Sequence, residues 1–433
     1  MFEVQSCISI ERACMFRLVR QISLLIFALS VSIFAHSQSM KVHFIDVGQG
    51  AATLVEFPCA AILVDTGGEK NAEFDSNSSL MEYLNAFFSG RPDLKNTLHS
   101  VILTHPHIDH TRGVQSVLSK FKILNGVTNG LDKGSGKSGQ VALNQKIQDM
   151  EDSGASVGFF TVWEKDIPSD KGLTNQVIDP VKCQAVDPKI TALWGQVSSN
   201  SSWSASEFSN ANNHSVVLRI DFGKSSMLIS GDLELKGIEE LLRKYENTNL
   251  LKTNLLVVNH HGAANGTTDQ FMKATSPSIA VIQMGPAGRE VKWTAWDYGH
   301  PRKSTVDTLV DNVTGTRPTE TVYVASKVHE FEPFELSRSI YGTGWDGSIV
   351  LEADTKGIWK PFGSDQGQDL VNINTADVSE LVRLPLIGTS RANAIVEYRQ
   401  KNGPFKSVED LMKVSRIKSG TINALRNLVK LSD

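Results

Sequence analysis

Short apolar runs alternate with polar and glycine-rich turns between Met40 and Asp354. Val101–Leu103, Met227–Ile229 and Leu255–Val258 are uninterrupted apolar runs, which predict buried strands. Ser79–Phe88 has a different spacing, with large apolar side chains recurring on one face, which predicts an amphipathic helix. Each apolar strand run is followed within a few residues by a histidine or an aspartate, so the candidate chemistry lies at strand ends.

The segment from Thr104 to Gly113, with the sequence THPHIDHTRG, carries a dense set of potential metal ligands. His105 and His107 are two residues apart, so on extended chain their imidazoles point to one face. Asp109 and His110 follow where the chain is expected to turn into a helix. Neutral imidazole suits zinc, and a carboxylate can serve a second ion. The sequence therefore predicts a metal site here, against the alternative of polar loop residues clustered by chance.

The pattern HxHxDH resembles the signature of the metallo-β-lactamase fold, and further segments match that family's motifs in order. They are Val42–Gly50, Ile62–Gly68, Asn212–Ser215, Ile229–Asp232, Asn259–Gly262 and Gly299–Pro301. Their wording is similar to the hydrolase domain of the competence DNA-uptake proteins of the ComEC type. The resemblance implies an α/β fold, a metallo-β-lactamase αββα sandwich over residues 40–356. The long stretch 114–212 is expected to be an insertion over the mouth of the site.

The resemblance also implies two divalent metal ions, with Zn²⁺ expected and Mn²⁺ as the alternative. The residues expected to bind them are His105, His107, Asp109, His110, His214, Asp232, His260 and His261. Asp232 is expected to bridge both ions with its two carboxylate oxygens, although it could instead cap a helix. Of the adjacent pair that follows Leu255–Val258, His260 is preferred over His261. His214 is left open between a ligand and a loop residue.

Three residues are expected to act on the substrate, and one to support a ligand. Asp109, His300 and Arg112 are the catalytic candidates, and His300 matches the family's late His-Pro pair, which could hold a phosphate or donate a proton. Arg112 replaces a glycine common in the family, and its guanidinium could clamp a phosphate or pair with an acid. Asp65 ends its strand and is expected to hold a ligand histidine by its free N–H, or else to stabilise a turn. The acid that often follows Gly-Gln-Gly in the family is Ala51 here.

A polar linker is predicted over residues 357–369, and a separate domain over residues 370–433. That domain resembles the helix-hairpin-helix unit of the ComEA-type competence DNA receptor, because VNINTA, LPLIG and GPFKSVEDL occur in order. The resemblance implies a small all-α domain whose hairpin amides bind the DNA backbone without reading sequence. The residues expected to contact DNA are Gly388, Thr389, Arg391, Lys418, Ser419 and Gly420. Leu386 and the run Arg416–Lys418 replace hairpin glycines, which leaves a protein-binding module as the alternative.

Residues 1–37 have the layout of a secretory signal peptide. Two arginines follow Met15, where translation could begin; Ile22–Phe34 is almost uninterruptedly apolar; and Ala35–Ser37 offers small residues for cleavage. An uncleaved membrane anchor is the alternative. In either case the body is expected outside the inner membrane, as a periplasmic, secreted or cell-surface protein. Cys59 and Cys183 then remain, and we expect no disulfide between residues so far apart in sequence.

Composition changes this picture little. The chain has 433 residues, of which 40% are hydrophobic, and its net charge of −4 neither requires nor excludes a nucleic-acid partner. We predict an exported metal-dependent DNA phosphodiesterase, in which two ions activate water and offset charge on a phosphoryl oxygen. The alternatives are a phosphocholine-esterase-like hydrolase of a small or cell-surface phosphoester, and a non-catalytic DNA-capture protein. DNA is the expected partner, and transport would need a separate membrane DNA-uptake channel.

Overall fold

The computed structural model describes residues 39–198, 203–362, 370–381, 384, 387, 389–415, 417, 421, 422, 425 and 428–432. All of the predicted signal peptide, and residues 363–369 of the predicted linker, lie outside these ranges. Within them, no helix combines the length and the apolar character that a bilayer crossing requires.

Two mixed sheets form the core of the protein. In chain order the strands are β1 (Met40–Phe44), β2 (Thr53–Phe57), β3 (Ala60–Val64), β4 (Thr97–Leu98), β5 (Ser100–Leu103), β6 (Lys122–Ile123), β7 (Asn125–Thr128), β8 (Gly158–Thr161), β9 (Lys189–Trp194), β10 (Val217–Phe222), β11 (Ser225–Ile229), β12 (Leu255–Val257), β13 (Ile279–Ile282), β14 (Thr316–Lys327), β15 (Glu330–Arg338), β16 (Ile340–Gly342), β17 (Ile349–Ala353), β18 (Trp359–Pro361), β19 (Val371–Asn372) and β20 (Val429–Lys430). The larger sheet has the order β18-β17-β1-β2-β3-β5-β7-β8, and the smaller has the order β16-β13-β12-β11-β10-β9. β14 and β15 form a separate hairpin, and β4–β6 and β19–β20 are short pairs.

Helices lie between and after these strands. In chain order they are α1 (Ser76–Gly90), α2 (Ile108–Thr111), α3 (Val114–Lys120), α4 (Lys137–Asp152), α5 (Ala205–Ser209), α6 (Leu235–Tyr245), α7 (Asp269–Thr275), α8 (Ala295–Tyr298), α9 (Lys303–Asn312), α10 (Thr343–Asp346), α11 (Val378–Leu381) and α12 (Thr389–Asn402). Single 3₁₀ turns cover Pro92–Leu94, Glu164–Asp166, Ala211–His214 and Asn259–Gly262, and a longer one covers Val408–Lys413.

The strands are buried on both faces, which is why they consist of continuous apolar runs. In β3, Ile62 and Val64 point into the core between the two sheets, whereas Ala61 and Leu63 pack on the other face with residues of α1, α3 and α4. The smaller sheet packs its outer face against α6, α7 and α9 in the same way. Successive side chains of a strand face opposite ways, so apolar groups must cover both faces of each sheet. The predicted αββα sandwich is confirmed.

Parallel pairing brings several strand ends to one edge. β3 pairs in parallel with β5, with Val64 opposite Ile102, and β11 pairs in parallel with β12, with Ile229 opposite Val257. Ligand sites of α/β sheets lie outside the carboxyl ends of parallel strands. The four segments that follow β3, β5, β11 and β12 therefore supply one site from two sheets.

The expectation that Cys59 and Cys183 stay unpaired is wrong. Their sulfurs are bonded, and their Cα atoms are 5.6 Å apart although 124 residues separate them in sequence. Cys59 lies in the turn between β2 and β3, and Cys183 lies in the segment before β9. Cys183 and Ala60 belong to the same buried cluster between the sheets, so stacking of the two sheets brings the cysteines together.

The stretch 114–212 is mostly scaffold, so the expectation of an insertion over the site is wrong for most of its length. β7 and β8 extend the larger sheet, and β9 forms one edge of the smaller sheet. The loop before α4 does reach the segment from Thr104 to Gly113, because Ser135 Oγ accepts a hydrogen bond of 3.1 Å from the backbone N–H of Ile108.

The C-terminal segment has its own small core. Fourteen buried residues, among them Leu381, Ile395 and Leu411, pack around α11 and α12. A reciprocal pair of hydrogen bonds between Asp377 and Glu380 caps α11 at its N-terminus, each 2.8 Å long. Apart from the β19–β20 pair, the regular secondary structure in the described part of this segment is helical, as predicted.

Candidate metal centre

The loop after β5 directs its first two histidines to the same point. His105 is fully buried, and His107 caps α2 with extended backbone, φ −91° and ψ 152°. His105 Nε2 lies 3.1 Å from His107 Nδ1. Two imidazole nitrogens at this distance can share a proton or hold a cation together, and two ligands of a tetrahedral zinc are about 3.3–3.4 Å apart.

A second group of donors converges beside the first. One ligand atom from each of Asp109, His110, Asp232 and His261 lies within 4.8 Å of all the others. His261 Nε2 lies 3.3 Å from Asp109 Oδ2 and 3.3 Å from His110 Nε2. These residues come from three strand ends, after β5, β11 and β12.

Asp232 lies between the two donor groups. Its Oδ1 is 3.1 Å from His110 Nε2, and its Oδ2 is 3.4 Å from His261 Nε2. The same Oδ2 is 3.7 Å from His105 Nε2 and 3.9 Å from His260 Nε2. The alternative of a helix cap does not apply, because Glu234 is the N-cap residue of α6.

The turn after β12 separates the two adjacent histidines. His260 and His261 have φ values of 49° and 53°, a left-handed conformation that is uncommon outside glycine. His261 is buried in the second donor group, and its Nδ1 donates to the carbonyl of Gln283 at 2.6 Å. His260 lies at the cleft, with its Nδ1 3.1 Å from Asn265 Oδ1. The structure therefore places His261, and not the preferred His260, in the group that contains Asp109 and His110.

Asp65 holds His110 from behind. Its Oδ2 lies 2.7 Å from His110 Nδ1 and accepts a hydrogen bond of 2.8 Å from Thr104 Oγ1, while Oδ1 accepts from the Thr104 backbone N–H. A carboxylate on one ring nitrogen fixes the tautomer and leaves the other nitrogen to face the ligand. The residue thus has both of the geometries expected for it, a histidine partner and a stabiliser of the turn.

The charges of the cluster favour a cation. Burial disfavours the imidazolium forms of His110 and His261, but the adjacent carboxylates outweigh burial, so they raise the pKa of His110 well above its usual range and that of His261 to about 10. Burial dominates at His105 and lowers its pKa well below the usual range. Burial also disfavours ionised Asp109 and Asp232, but the neighbouring imidazoles outweigh it and lower both pKa values. Ionised acids beside deprotonatable imidazoles form a donor set that fits divalent metal ions.

His214 stays outside both donor groups. Its Nδ1 accepts a hydrogen bond of 3.0 Å from the backbone N–H of Val197, and its Nε2 donates to the carbonyl of Phe208 at 2.9 Å. Neither ring nitrogen is then available to a metal. Of the two alternatives left open for this residue, the structure supports the loop role.

His300 and Arg112 both line the cleft above the donors. His300 is buried, and its Nδ1 lies 3.2 Å from Gln49 Nε2. Burial and the neighbouring His261 and His260 lower the pKa of His300 to about 3. The Nε of Arg112 donates to the backbone carbonyl of Gly68, which fixes the start of its guanidinium against the wall of the cleft.

A buried acid reaches the Gly48–Gly50 turn from another part of the chain. Glu69 is 1% exposed, and its Oε2 accepts a hydrogen bond of 2.6 Å from the backbone N–H of Gln49. Its Oε1 pairs with Arg289 Nη1 at 2.6 Å. Gly48 has φ +67°, and a Cβ atom there would overlap the Glu69 carboxylate. Ala51 occupies the position where the family often has an acid. Glu69 supplies a carboxylate at the same turn.

Sequence reasoning missed four residues that line the cleft, whose volume is about 540 Å³. They are Gln49, Lys70, Trp293 and Tyr298. The aromatic-rich run just before His300, KWTAWDYGHP, was the available signal for two of them. Trp194 and Trp203, in contrast, are buried in the core.

The predicted DNA contacts are described only in part. Gly388, Lys418, Ser419 and Gly420 lie outside the described residues, and Thr389 is the first residue of α12. Arg391 Nη2 lies 3.4 Å from Oε1 of Glu82, a residue of α1, and Thr421 Oγ1 lies 3.5 Å from the same oxygen. One carboxylate of α1 therefore contacts two separate parts of the C-terminal segment.

Comparison with protein families gives two matches. Residues 45–285 match the model of the metallo-beta-lactamase superfamily. Residues 366–430 match the model of the helix-hairpin-helix motif.

Among curated proteins, the chain is similar to ComE operon protein 3 of Bacillus subtilis (strain 168), with 27% identity over 281 residues, 63% of this chain and 31% of that protein. It is 25% identical over 260 residues to Recombination protein 2 of Haemophilus influenzae, which covers 60% of this chain and 25% of that protein. A further 67 residues are 42% identical to ComE operon protein 1 of Bacillus subtilis (strain 168), 15% of this chain and 33% of that protein. The chain spans about a third or less of each of these relatives.

Proposed function

The chain belongs to the metallo-beta-lactamase superfamily, and from this membership we propose that it is an exported metal-dependent phosphodiesterase that hydrolyses DNA. The observation that supports the proposal most is that one chain joins a buried His/Asp donor cluster to a segment that matches a helix-hairpin-helix model. Relatives named for competence and recombination support the same substrate class.

Two donor groups that share Asp232 would hold the two divalent ions. One group consists of His105 and His260, which lie near Oδ2 of that carboxylate, and of His107, whose Nδ1 is 3.1 Å from His105 Nε2. The other group consists of Asp109, His110 and His261. When bound, the ions would supply activated water at neutral pH and offset the charge that develops on the phosphoryl group. Zn²⁺ is the metal proposed, with Mn²⁺ as the alternative.

The surrounding residues would prepare these donors for a metal. Asp65 accepts from His110 Nδ1, and the Gln283 carbonyl accepts from His261 Nδ1, so both ring protons are held on the far side. Once their Nε2 protons are lost, the Nε2 atoms of His110 and His261 present lone pairs to the same place, 3.3 Å apart. Partners of this kind raise ligand basicity and fix ring orientation.

The walls of the cleft would position the phosphodiester. Lys70 and Arg112 supply positive charge to the lining of the cleft. His300 also lines it, and the amide nitrogen of Gln49 faces His300 Nδ1, so Nδ1 accepts and the ring proton lies on Nε2. With a pKa of about 3, His300 is neutral at physiological pH and would donate this proton as a hydrogen bond to a phosphoryl or leaving-group oxygen.

The proposed location is the periplasm, the cell surface or the medium. The disulfide between Cys59 and Cys183 supports it, because disulfides persist in oxidising compartments. The predicted signal peptide supports it as well. DNA is the proposed partner, and a separate membrane DNA-uptake channel is the second one, in view of the relatives named as competence proteins.

The test is hydrolysis of DNA by the purified full-length protein with Zn²⁺ or Mn²⁺. His107→Ala removes one donor and should lower the rate by more than the roughly 10–100-fold that loss of an outer partner of a ligand costs. His99→Ala is the matched control, because His99 lies at the opposite end of β5 from the metal-binding loop. Its rate should stay near that of the wild type.

Two outcomes would overturn the proposal. DNA that stays intact with both metals, while a small phosphoester such as a phosphocholine ester is cleaved, would assign the same cleft to another substrate. DNA binding that is unchanged in His107→Ala, with no turnover of any phosphodiester, would point to a capture protein instead.

A further inference from the structure

A row of aromatic rings leads from the surface to the metal donors. Trp293 and Tyr298 have ring centroids 6.4 Å apart, Tyr298 stacks on His300 at 5.7 Å, and His300 stacks on His261 at 6.2 Å. The planes of the last two pairs differ by only 21° and 26°. We call these four residues the aromatic row. It begins at the mouth of the cleft and ends at a candidate ligand.

The outer end of the row is exposed to solvent. Trp293 is 65% exposed and Tyr298 is 39% exposed, whereas Trp194 and Trp203 are buried. A large exposed aromatic side chain at the mouth of a cleft is typical of a binding site, because burying it elsewhere would be favourable.

The backbone holds Trp293 in this outward position. Its φ is +67°, a left-handed conformation that bulky residues rarely adopt. Its N–H donates to Asp297 Oδ2 at 2.9 Å, and the hydroxyl of Thr294, the N-cap of α8, donates to the carbonyls of Arg289 and Val291. A strained conformation that its neighbours enforce is a common property of ligand clamps.

Positive charge lines the same cleft as the aromatic row. Lys70 and Arg112 line it, Lys70 with its side chain 56% exposed and 3.6 Å from Asp75. Grooves that bind single-stranded nucleic acid usually combine cationic side chains along the phosphate backbone with aromatic side chains on which the bases stack. The cleft volume of about 540 Å³ is also within the range of about 300–1,000 Å³ that small ligands occupy. A cleft of this size suits one or two nucleotides rather than a double helix.

We propose that the aromatic row stacks an unpaired base and thereby selects single-stranded DNA, with the neighbouring phosphodiester placed between Lys70, Arg112 and the metal donors. This rests on the proposed phosphodiesterase function and specifies its substrate. In a duplex the faces of the bases are covered by their neighbours, so only an unpaired nucleotide can offer one to Trp293. Stacking of this kind tolerates any base.

The first experiment compares three substrates of one sequence with the full-length protein: a single strand, its duplex, and the single strand with abasic sites. The wild type should cleave the single strand at least tenfold faster than either of the others. Trp293→Ala should raise KM for the single strand by roughly 5- to 150-fold, the range for loss of one stacked base. Its effect on the abasic strand should be small, and Trp293→Phe should restore most of the affinity.

Tyr323→Ala is the matched control. Tyr323 is 54% exposed on the β14–β15 hairpin, so this substitution removes a similarly exposed aromatic ring at a position away from the cleft. An equal rate on single strand and duplex, or an unchanged KM in Trp293→Ala, would overturn the proposal while leaving the phosphodiesterase function intact.

A binding measurement separates the two proposals if no strand is cut. A trinucleotide with a central 2-aminopurine, too short to reach both the cleft and the C-terminal domain, is titrated with His107→Ala protein, and its fluorescence should fall on stacking. Quenching that Trp293→Ala abolishes would support the base site even without hydrolysis. Quenching of equal size in Trp293→Ala would reject it.

Discussion

Several residues around the cleft have a backbone conformation that their side chains disfavour. Asp65, His260, His261 and Trp293 all have positive φ values, between 49° and 67°. Each such residue costs on the order of 1–3 kcal/mol and persists only where the surrounding structure enforces it. Here the strained residues include two candidate ligand residues, the partner of a third and the outer ring of the aromatic row. The rest of the fold therefore offsets the free-energy cost of holding these side chains in their orientations.

The charge state of the histidines predicts how metal affinity depends on pH. His110 and His261 must lose their protons in order to bind a metal. The pKa of His261 is raised to about 10, and that of His110 is raised well above its usual value. Both side chains are therefore positively charged imidazolium ions at neutral pH before metal binds. Affinity should therefore increase as pH rises toward 10, by about tenfold per pH unit for each proton released.

Competition with a chelator of known affinity at several pH values between 6.5 and 8.5 measures this dependence. In His261→Gln the slope should fall by about one proton, because that ring no longer has to deprotonate. The same slope in both proteins would show that His261 is not a ligand.

At the residue scale, the structure brings the predicted donors together where their spacing along the chain alone determines direction. His105, His107, Asp109 and His110 follow one strand within six residues, so few backbone paths can separate them. The choice between His260 and His261 depends on a left-handed turn that the residue types in this segment do not predict. The role of His214 depends on the hydrogen bonds of its ring to the backbone of Val197 and Phe208, and the sequence does not reveal these contacts.

At the scale of elements, the disulfide ties the β2–β3 turn to the segment before β9. Its loop is long, so the cross-link removes much conformational freedom from the unfolded chain. The double variant Cys59→Ser/Cys183→Ser should unfold with a free energy lower by about 2–5 kcal/mol. Urea denaturation followed by circular dichroism measures the difference.

The reductant dependence supplies the control. Dithiothreitol should destabilise the wild type toward the value of the double variant and should leave the double variant unchanged. Equal stability of the two proteins without reductant would contradict a structural role for the bond.

Elements with a clear apolar period could be predicted from the sequence, with small errors in length. The helix expected over Ser79–Phe88 extends over Ser76–Gly90, since Asp75 caps it by accepting from the backbone N–H of Asn77. The stretch 114–212 was misassigned because its strands are short and polar turns interrupt them. Only pairing with β5 and β10 makes them part of the two sheets.

At the scale of the whole molecule, the C-terminal domain rests on the hydrolase core through Glu82. Its carboxylate contacts Arg391, a residue of α12, and Thr421, which lies further along the chain. A carboxylate at this place has the charge that a DNA phosphate would have. DNA on this face would have to displace Glu82 from Arg391.

Glu82→Ala should therefore increase DNA affinity, by up to about fivefold at low salt, because an ion pair of this kind is worth about 0–1 kcal/mol. Fluorescence anisotropy with a labelled oligonucleotide measures the change. Glu151→Ala is the matched control, since it removes the same charge from an exposed position at the end of α4. An equal gain in both variants would assign the effect to net charge alone.

The division of the donor groups between two sheets has a consequence for the life of the protein. The larger sheet supplies the histidines and the aspartate after β5, and the smaller sheet supplies Asp232 and the pair after β12. A polypeptide synthesised only as far as β8 would therefore lack Asp232 and the pair after β12, and would hold an incomplete donor set. If the proposed metal-dependent activity is correct, it could begin only after the second sheet has packed against the first.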